Sequence, residues 1–275
     1  MTDRLWRGAS VKGSAAVEVL PGHYANKQLG CRSSVIAWSH ASRFRKAITL
    51  VGARPSGRLL DYGCGDGTFL SLVAARYAGC TGMDIEEGQL TNCRHRFASV
   101  PNVTFCTVTD LRRSEHSHAY DTVTCMETLE HCTEDVVAAV LRDLNRLVKP
   151  DGRVIISVPI EIGPTFILKA VVRGLAAARG LSDYRYYERY SVPDALRMIA
   201  ASRNTRIRRA THGEPNALSH SHHGFNWRAL RVTIAAELRL RELHFTPLSV
   251  PGGLVSSQAW FVCGKRSDES GGDRS

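Results

Sequence analysis

Two short segments concentrate the residues whose types and spacing could do chemistry. The first, residues 59–70, reads LLDYGCGDGTFL and places glycines at alternate positions, Gly63, Gly65 and Gly67. Glycine reaches positive φ angles without a steric penalty and lets a ligand come close to the backbone. A helical pattern follows these glycines, so a helix N-terminus with unpaired N–H donors comes next. The pattern predicts a ligand-binding loop between a strand and a helix, and we call residues 61–67 the glycine loop.

Two carboxylates accompany this loop in the sequence. Asp61 precedes the glycines, and Asp84 ends the next predicted strand, at the distance where an acidic side chain would bind ribose hydroxyls. The spacing Asp61-x-Gly63-x-Gly65-x-Gly67 departs from the G-x-G-x-x-G spacing of dinucleotide sites, because the acidic residue here comes before the glycines. A carboxylate in that place favours an amino-acid moiety over a pyrophosphate as the ligand of the loop.

The glycine loop resembles motif I of the class I S-adenosylmethionine (SAM)-dependent methyltransferases, and the resemblance extends over roughly residues 55–160. In that family the loop holds the methionine part of SAM, which implies that Asp61 orders the loop and contacts the ammonium group. Asp84 matches the ribose-binding acid of the family, and the pair Asp110-Leu111 matches the residues beside the adenine. The cofactor-binding residues that the resemblance implies are Asp61, Gly63, Cys64, Gly65, Gly67, Asp84, Ile85, Asp110, Leu111 and Met126.

The second segment follows a later predicted strand and contains two glutamates and a histidine. If a helical turn begins at Glu127, then Glu130 and His131 lie three and four residues further on and share one helical face with it. Carboxylate and imidazole groups together suit a divalent cation such as Mg²⁺, Mn²⁺ or Zn²⁺. We expect a fourth ligand from a downstream histidine cluster, with His223 as the candidate. The sequence leaves open which member of that cluster takes part: His220, His222 or His223.

This Glu-x-x-Glu-His block resembles that of the ubiquinone-biosynthesis O-methyltransferases, and it is also similar to that of the small-RNA 3′-end 2′-O-methyltransferases. Both resemblances imply that Glu127, Glu130 and His131 act at the acceptor hydroxyl, which they would position or deprotonate. A bound cation would assist them, because it lowers the pKa of a hydroxyl and holds the oxygen in line with the methyl group. The alternative is that Glu130 and His131 make structural hydrogen bonds and that no metal binds.

The elements that must position these residues alternate between short β runs and helices from residue 58 onward. Such alternation predicts a parallel sheet with right-handed crossover connections. The predicted strands are residues 58–62, 80–84, 103–108, 120–126, 153–158, 239–245 and 258–263, and the predicted helices are residues 33–51, 133–148, 166–178, 193–201 and 227–238. Together with the resemblance, this order implies an α/β fold, a Rossmann-like seven-stranded doubly wound sheet with an inserted α-rich cap.

The regular alternation breaks after residue 158, and this break divides the chain into segments. We predict an N-terminal helical extension at residues 1–50 and a SAM-dependent methyltransferase domain at residues 51–265. The α-rich cap would be inserted at residues 160–222. Residues 266–275 are rich in Ser, Gly, Asp and Glu and predict a disordered tail.

The net charge of +10 is distributed unevenly along the chain. Residues 1–160 hold 19 Lys and Arg against 16 Asp and Glu, whereas residues 161–245 hold 14 against 7. A basic cap beside a nearly neutral core favours an anionic partner, which would be a phosphorylated substrate, a membrane surface or RNA, unless it is a solvated arginine-rich face. No apolar stretch approaches the ~18 residues of a spanning helix. No signal-peptide pattern is present either, so we expect a cytoplasmic protein, with or without peripheral contact to a membrane.

Three functions fit these features. The leading hypothesis is a SAM-dependent O-methyltransferase that acts on a hydroxyl of a small molecule, such as a phenol, a quinone precursor, a sugar or a natural product. The second is an RNA 2′-O-methyltransferase, which the charge of the cap favours although the chain has no recognisable RNA-binding module. The third is a non-catalytic SAM-binding partner subunit, and the intact glycine loop argues against it.

Overall fold

A seven-stranded mixed sheet forms the centre of the computed structural model, which describes residues 34–178, 191–209, 211–212, 219–222 and 224–266. The parallel strands are β1 (Arg54–Tyr62), β2 (Tyr77–Met83), β3 (Val103–Cys106), β4 (Tyr120–Met126) and β5 (Val148–Pro159). A separate hairpin follows, made of β6 (Thr211–His212) and β7 (Ser219–His220), and the antiparallel strands β8 (Arg239–Thr246) and β9 (Gln258–Gly264) complete the sheet.

The order of the strands in the sheet is β3-β2-β1-β4-β5-β9-β8. This order confirms the predicted α/β, Rossmann-like architecture. The direction of winding reverses between β1 and β4, and ligands of such sheets bind outside the carboxyl ends of the strands at this reversal. The glycine loop follows β1, and residues 127–131, which we call the carboxylate segment, follow β4. The fold therefore brings these two segments to the same edge of the sheet.

Helices cover both faces of the sheet, and each face has its own apolar cluster. The described helices are α1 (Ser34–Val51), α2 (Thr68–Val73), α3 (Glu87–Arg96), α4 (Val108–Leu111), α5 (Glu134–Leu147), α6 (Pro164–Ala178), α7 (Val192–Ile199) and α8 (Trp227–Glu237). Helices α1 to α3 contribute to the cluster on one face, and α5 and α8 contribute to the cluster on the other. The sheet is therefore buried on both sides, which is the usual state of a parallel sheet.

The helix α1 belongs to the core of this domain. Its residues Ala41, Phe44, Ala47 and Val51 are buried in the same cluster as Cys64 of the glycine loop and residues of α2. The part of the predicted N-terminal extension that the structure describes thus packs directly against the sheet. Residues 1–33 lie outside the described residues.

The observed boundaries agree with the predicted ones most closely where the apolar pattern is strongest. Strand β4 begins and ends at the predicted residues, and α5 lies within one residue of its predicted range at each end. The third strand ends at Cys106, earlier than predicted, because Thr107 caps the short helix α4. Its hydroxyl accepts a hydrogen bond from the backbone of Asp110, whose carboxylate accepts one from the backbone of Thr107, and this capping box stops the strand.

The predicted cap at residues 160–222 contains α6, α7 and the β6–β7 hairpin. The rest of its length, residues 179–190, 210 and 213–218, lies outside the described residues, as do His223 and residues 267–275 of the predicted tail. Among the helices that the structure describes, none combines the length and hydropathy that a bilayer crossing requires.

Candidate active site

The glycine loop turns sharply at the carboxyl end of β1. The backbone N–H groups of Gly63 and Cys64 both donate to the carbonyl of Met83 at 2.8 Å, which ties the loop to the end of β2. Gly65 has a φ of +52° and open space where a side chain would project. Such a position lets a ligand approach the backbone closely, as the sequence predicts for this loop.

Asp84 joins the end of β2 to the glycine loop. One oxygen of its carboxylate accepts a hydrogen bond from the Gly65 N–H at 2.8 Å, and the other accepts one from the Glu86 N–H at 3.0 Å. The next residue, Ile85, is 87% exposed although its side chain is large and apolar. A carboxylate beside an exposed apolar surface is the combination that a nucleoside, with its hydroxyls and its flat ring, can cover.

Asp61 is buried below the loop. Its carboxylate accepts a hydrogen bond from the Thr124 hydroxyl at 2.7 Å, which links β1 to β4. Burial raises the pKa of Asp61 to about 7; the hydrogen bond from Thr124 opposes this shift, and the nearby Asp84 carboxylate adds to it. Asp61 therefore changes charge near neutral pH, and a cationic group of a ligand would favour its ionised form.

The other predicted cofactor residues occupy different environments. Asp110 belongs to the capping box of α4 and forms an ion pair with Arg113 at 3.0 Å. The Leu111 side chain is 1% exposed and packs in the core, so it does not reach the surface of the cleft. The Cys64 thiol is buried and lies 3.8 Å from the Gly65 carbonyl oxygen, and Met126 is half-buried at the end of β4. Their roles at the cofactor stay predictions.

The carboxylate segment does not form the predicted helical turn from Glu127. Glu127 has a φ of +53°, in the left-handed region, and the turn that follows is a 3-10 helix at Leu129–His131. The prediction that Glu127, Glu130 and His131 share one helical face is therefore wrong. The left-handed residue redirects the chain at the end of β4, so the helical turn begins only after Glu127.

Glu127 is instead held by two side chains from distant parts of the chain. Its carboxylate forms an ion pair with Arg43 of α1 at 2.9 Å and accepts a hydrogen bond from the side-chain amide of Gln258 in β9. The Glu127 N–H donates to the carbonyl of Ser157 in β5 at 3.0 Å. Glu127 thus links α1, β5 and β9 to one another beside the site.

Glu130, His131 and His222 form a cluster in which one ligand atom of each residue lies within 4.8 Å of the others. The Glu130 side chain is fully buried, and neither of its carboxylate oxygens has a hydrogen-bond partner among the described residues. Burial, reinforced by the Glu127 carboxylate, raises the pKa of Glu130 well above its usual range. Buried carboxylates without partners are costly in folded proteins, and a bound cation would offset that cost. We call these three residues the cation cluster.

The imidazole of His131 is oriented by the β6–β7 hairpin. Its Nδ1 lies 3.0 Å from the carbonyl oxygen of His220, and its ring meets the ring of His222 edge-to-face at a centroid distance of 4.6 Å. A carbonyl at Nδ1 favours the tautomer that protonates this nitrogen and leaves the lone pair of Nε2 for a metal. Of the predicted fourth ligands, His222 is the one that the structure brings to the cluster. His220 contributes its backbone, and His223 lies outside the described residues.

Three arginine and amide side chains at this site were missed in the sequence. Arg43 and Gln258 hold Glu127, and Arg209 donates hydrogen bonds to the backbone carbonyls of Glu130 and Ser221. All of these contacts except that to Ser221 join residues separated by 79 to 131 positions in the chain. No local spacing signals such partners, because they are set by the packing of whole elements.

Comparison with known proteins relates part of this chain to one family. Residues 59–152 match the family model described as a methyltransferase domain. A ubiquinone biosynthesis O-methyltransferase of Pseudomonas aeruginosa is 36% identical over 140 residues, which are 49% of this chain and 59% of the relative. The chain therefore spans less than two thirds of the length of the curated relatives that it matches.

Solved structures show the same fold at low sequence identity. A protein of Pyrococcus horikoshii matches with a TM-score of 0.56 at 14% identity, over 90% of this chain and 100% of that one. Phosphoethanolamine N-methyltransferase 1 of Haemonchus contortus, solved with phosphoethanolamine and S-adenosylhomocysteine, matches with a TM-score of 0.57 at 12% identity, over 100% of this chain and 50% of that one. At such identities the likeness concerns the fold alone.

Proposed function

We propose that this chain is a class I SAM-dependent methyltransferase and that it transfers the methyl group of SAM to a hydroxyl oxygen of a small molecule. A divalent cation held by Glu130, His131 and His222 would assist the transfer. The observation that carries this proposal is the buried Glu130 carboxylate, which has no hydrogen-bond partner among the described residues and has two imidazoles beside it.

The residues around the glycine loop would hold SAM. The ionised Asp61 carboxylate would attract the ammonium group of the methionine moiety, and the open space at Gly65 leaves room for it. Asp84 would accept hydrogen bonds from the ribose hydroxyls, and the exposed Ile85 would pack against the adenosine. The methyl group would then lie near the end of β4, beside Met126.

The donor set of the cation cluster fits a divalent ion. One carboxylate and two imidazoles suit Mn²⁺, Fe²⁺ or Zn²⁺ better than Mg²⁺, which prefers oxygen ligands. Such an ion, when bound, makes a hydroxyl more acidic and so prepares its oxygen to attack the methyl group. Three protein ligands leave coordination positions open, which is the pattern of catalytic rather than structural sites.

Glu127 would have a structural role beside the acceptor and would not bind the cation. Its ion pair with Arg43 and its hydrogen bond from Gln258 occupy its carboxylate, so it is not placed as a cation ligand. The next residue, Thr128, packs against Gly63, where even a methyl group on the glycine would collide with the Thr128 hydroxyl. The turn after β4 and the glycine loop are thereby held in contact.

The names of the relatives support oxygen as the acceptor atom. Curated relatives that match this chain include ubiquinone biosynthesis O-methyltransferases. Within the range of phenols, quinone precursors, sugars and natural products, we therefore place phenolic and quinone-precursor hydroxyls first.

RNA 2′-O-methylation is the second candidate, and the charge of the cap favours it. Arg206 and Arg208 are exposed in the basic segment at residues 161–245, where they could meet phosphates. A phosphorylated small molecule or an anionic membrane surface would use the same charge. A methyl-transfer test against both kinds of acceptor separates these candidates.

The proposal is tested by a screen for methyl transfer from SAM with the full chain. The acceptors are phenols, catechols, glycosides and short RNAs, each assayed with EDTA and then with Mn²⁺ or Mg²⁺ added back. We expect transfer to a small-molecule hydroxyl that EDTA abolishes and one ion restores. Transfer that is unaffected by EDTA would remove the cation from the proposal, and transfer to RNA alone would favour the second candidate. S-adenosylhomocysteine binding without transfer to any acceptor would favour a non-catalytic subunit.

A further inference from the structure

We infer that Arg209 is the positioning residue that holds the two halves of the cation cluster together. The inference deepens the proposed function and rests on it. Arg209 is not itself a ligand, because its guanidinium has only donor groups. It would act through the backbone of the segments that carry the ligands.

The cation cluster is assembled from two separate segments. Glu130 and His131 lie in the 3-10 turn after β4, whereas His222 lies just beyond β7 in the cap. One nitrogen of Arg209, Nη2, donates to the Glu130 carbonyl and also to the Ser221 carbonyl, the latter at 2.7 Å. A single guanidinium thus bonds the backbone of one ligand residue and the backbone of the residue preceding another.

Arg209 is itself fixed by its surroundings. Its guanidinium lies 5.3 Å from the centre of the Phe225 ring, in a cation–π contact. Gly224 turns with a φ of +70° directly against this segment, and a Cβ atom there would lie only 2.6 Å from a methyl group of Ile207. Residues 207–209 therefore pack closely on residues 224–225, which fixes the segment that carries Arg209.

The choice of acceptor atoms matters for the cation. Arg209 bonds the carbonyl oxygen of Glu130, and the carboxylate oxygens of Glu130 have no hydrogen-bond partner among the described residues. An arginine that paired with this carboxylate would compete with a metal for it. By bonding the backbone instead, Arg209 places Glu130 and leaves its carboxylate available for coordination.

A second link between the segments does not involve Arg209. The His131 imidazole contacts the His220 carbonyl at 3.0 Å, and this contact would remain after Arg209 is replaced. We therefore expect the loss of Arg209 to weaken cation binding without abolishing it. Replacement of groups that orient metal ligands typically lowers metal affinity by about 10-fold to 100-fold.

The test is a titration of the full chain with Mn²⁺ alone, followed by electron paramagnetic resonance of the free ion. The variants are Arg209→Met, Arg209→Lys and the control Arg203→Met, which removes an exposed arginine of the same segment. S-adenosylhomocysteine affinity and the thermal unfolding midpoint are measured on each. We expect Arg209→Met to bind Mn²⁺ about 10-fold to 100-fold more weakly, Arg209→Lys to recover part of the loss, and Arg203→Met to match the wild type. S-adenosylhomocysteine affinity should not change.

The possible failures are distinguishable. A wild-type chain that binds no Mn²⁺ overturns the proposed cation and this inference with it. A wild-type chain that binds Mn²⁺, with Arg209→Met binding equally well, overturns the inference alone. If Arg209→Met does not fold, Arg209→Lys decides: weaker Mn²⁺ binding with unchanged S-adenosylhomocysteine affinity supports the positioning role, and wild-type Mn²⁺ affinity contradicts it.

Discussion

The proposed cofactor side, at the glycine loop, and the proposed acceptor side, at the cation cluster, are built in different ways. On the cofactor side, Asp84 and Gly65 meet through a hydrogen bond between residues 19 positions apart. On the acceptor side, the contact between His131 and His220 joins residues 89 positions apart, across an insertion. The glycine loop and Asp84 belong to one strand–turn–helix unit and the strand beside it. The cation cluster forms only when the cap packs onto the sheet.

The two sides also differ in how their polar groups are satisfied. Asp61 and Asp84 accept hydrogen bonds from Thr124, Gly65 and Glu86, so the cofactor side is preformed. Glu130 is fully buried and has no such partner among the described residues. A ligand at the proposed cofactor side would thus serve function alone, whereas an ion at the proposed acceptor side would also stabilise the fold.

The largest effect on cation binding should come from replacing Glu130, and Glu127, three positions earlier in the chain, provides the comparison. Glu130→Gln removes a proposed ligand and should lower Mn²⁺ affinity and metal-dependent kcat/KM by about 100-fold or more. The matched variant Glu127→Gln should keep Mn²⁺ affinity within about 3-fold, because Glu127 is held by Arg43 and Gln258. Titration with Mn²⁺ checks both. Equal losses in the two variants would show that both carboxylates bind the ion and would break the distinction drawn here.

A methyl group at Gly65 should damage the cofactor side alone. Gly65→Ala places a Cβ in the open space of the loop at a φ of +52°, where it would meet the ligand and no protein atom within 4 Å. We expect S-adenosylhomocysteine to bind about 10-fold more weakly or worse, with Mn²⁺ binding unchanged. Gly52→Ala is the control, since Gly52 has a φ of +65° and equally open surroundings. Equal S-adenosylhomocysteine affinity in both alanine variants would place the ligand elsewhere.

The pH dependence of cofactor binding should report on Asp61. Its pKa of about 7 lies above the ordinary value, so the folded free protein holds a proton there below neutral pH. An ammonium group favours the carboxylate, and binding must then release that proton. Affinity for S-adenosylhomocysteine should therefore rise with pH, by at most about 10-fold per pH unit, and level off above pH 7. Calorimetry between pH 5.5 and 8.5 measures this, and Asp61→Asn should flatten the profile. An unchanged profile in that variant would assign the titration to another group.

The smallest effect should come from removing the ion pair between Arg43 and Glu127. Arg43 and Glu127 are both largely buried, and their ion pair is 2.9 Å long. A double-mutant cycle with Arg43→Met and Glu127→Gln should give a coupling of about 1 kcal/mol in the free energy of unfolding. Urea denaturation of the four proteins provides the value. A coupling near zero would mean that the pair contributes nothing to holding α1 at the site.

The elements that carry the glycine loop were predicted well from the sequence for a physical reason. The bounds of β4 and the position of the glycine loop follow from local apolar runs and from glycine, whose effects act over a few residues. The short helix at Val108–Leu111 was missed, although Thr107 and Asp110 have the spacing of a capping box. That signal was readable, because a capping box also depends on local sequence alone.

The composition of the cation cluster was predicted only in part. Glu130 and His131 were found from their types, but the shared helical face with Glu127 was wrong because a left-handed residue ends β4 before the turn begins. His222 could not be separated from His220 and His223 without the register of the β6–β7 hairpin. Nothing in the sequence marked Arg209 as a residue of this cluster, since an arginine that bonds two backbone carbonyls looks in sequence like one exposed to solvent.

The most direct measurement for the central claim is the anomalous diffraction of Mn²⁺ in a crystal of the full chain grown with S-adenosylhomocysteine. We predict one strong peak between the Glu130 carboxylate and the His131 and His222 imidazoles, within about 2.0–2.3 Å of each ligand atom. The absence of a peak there at saturating Mn²⁺, with the nucleoside bound at the glycine loop, would contradict a cation on the acceptor side of this site.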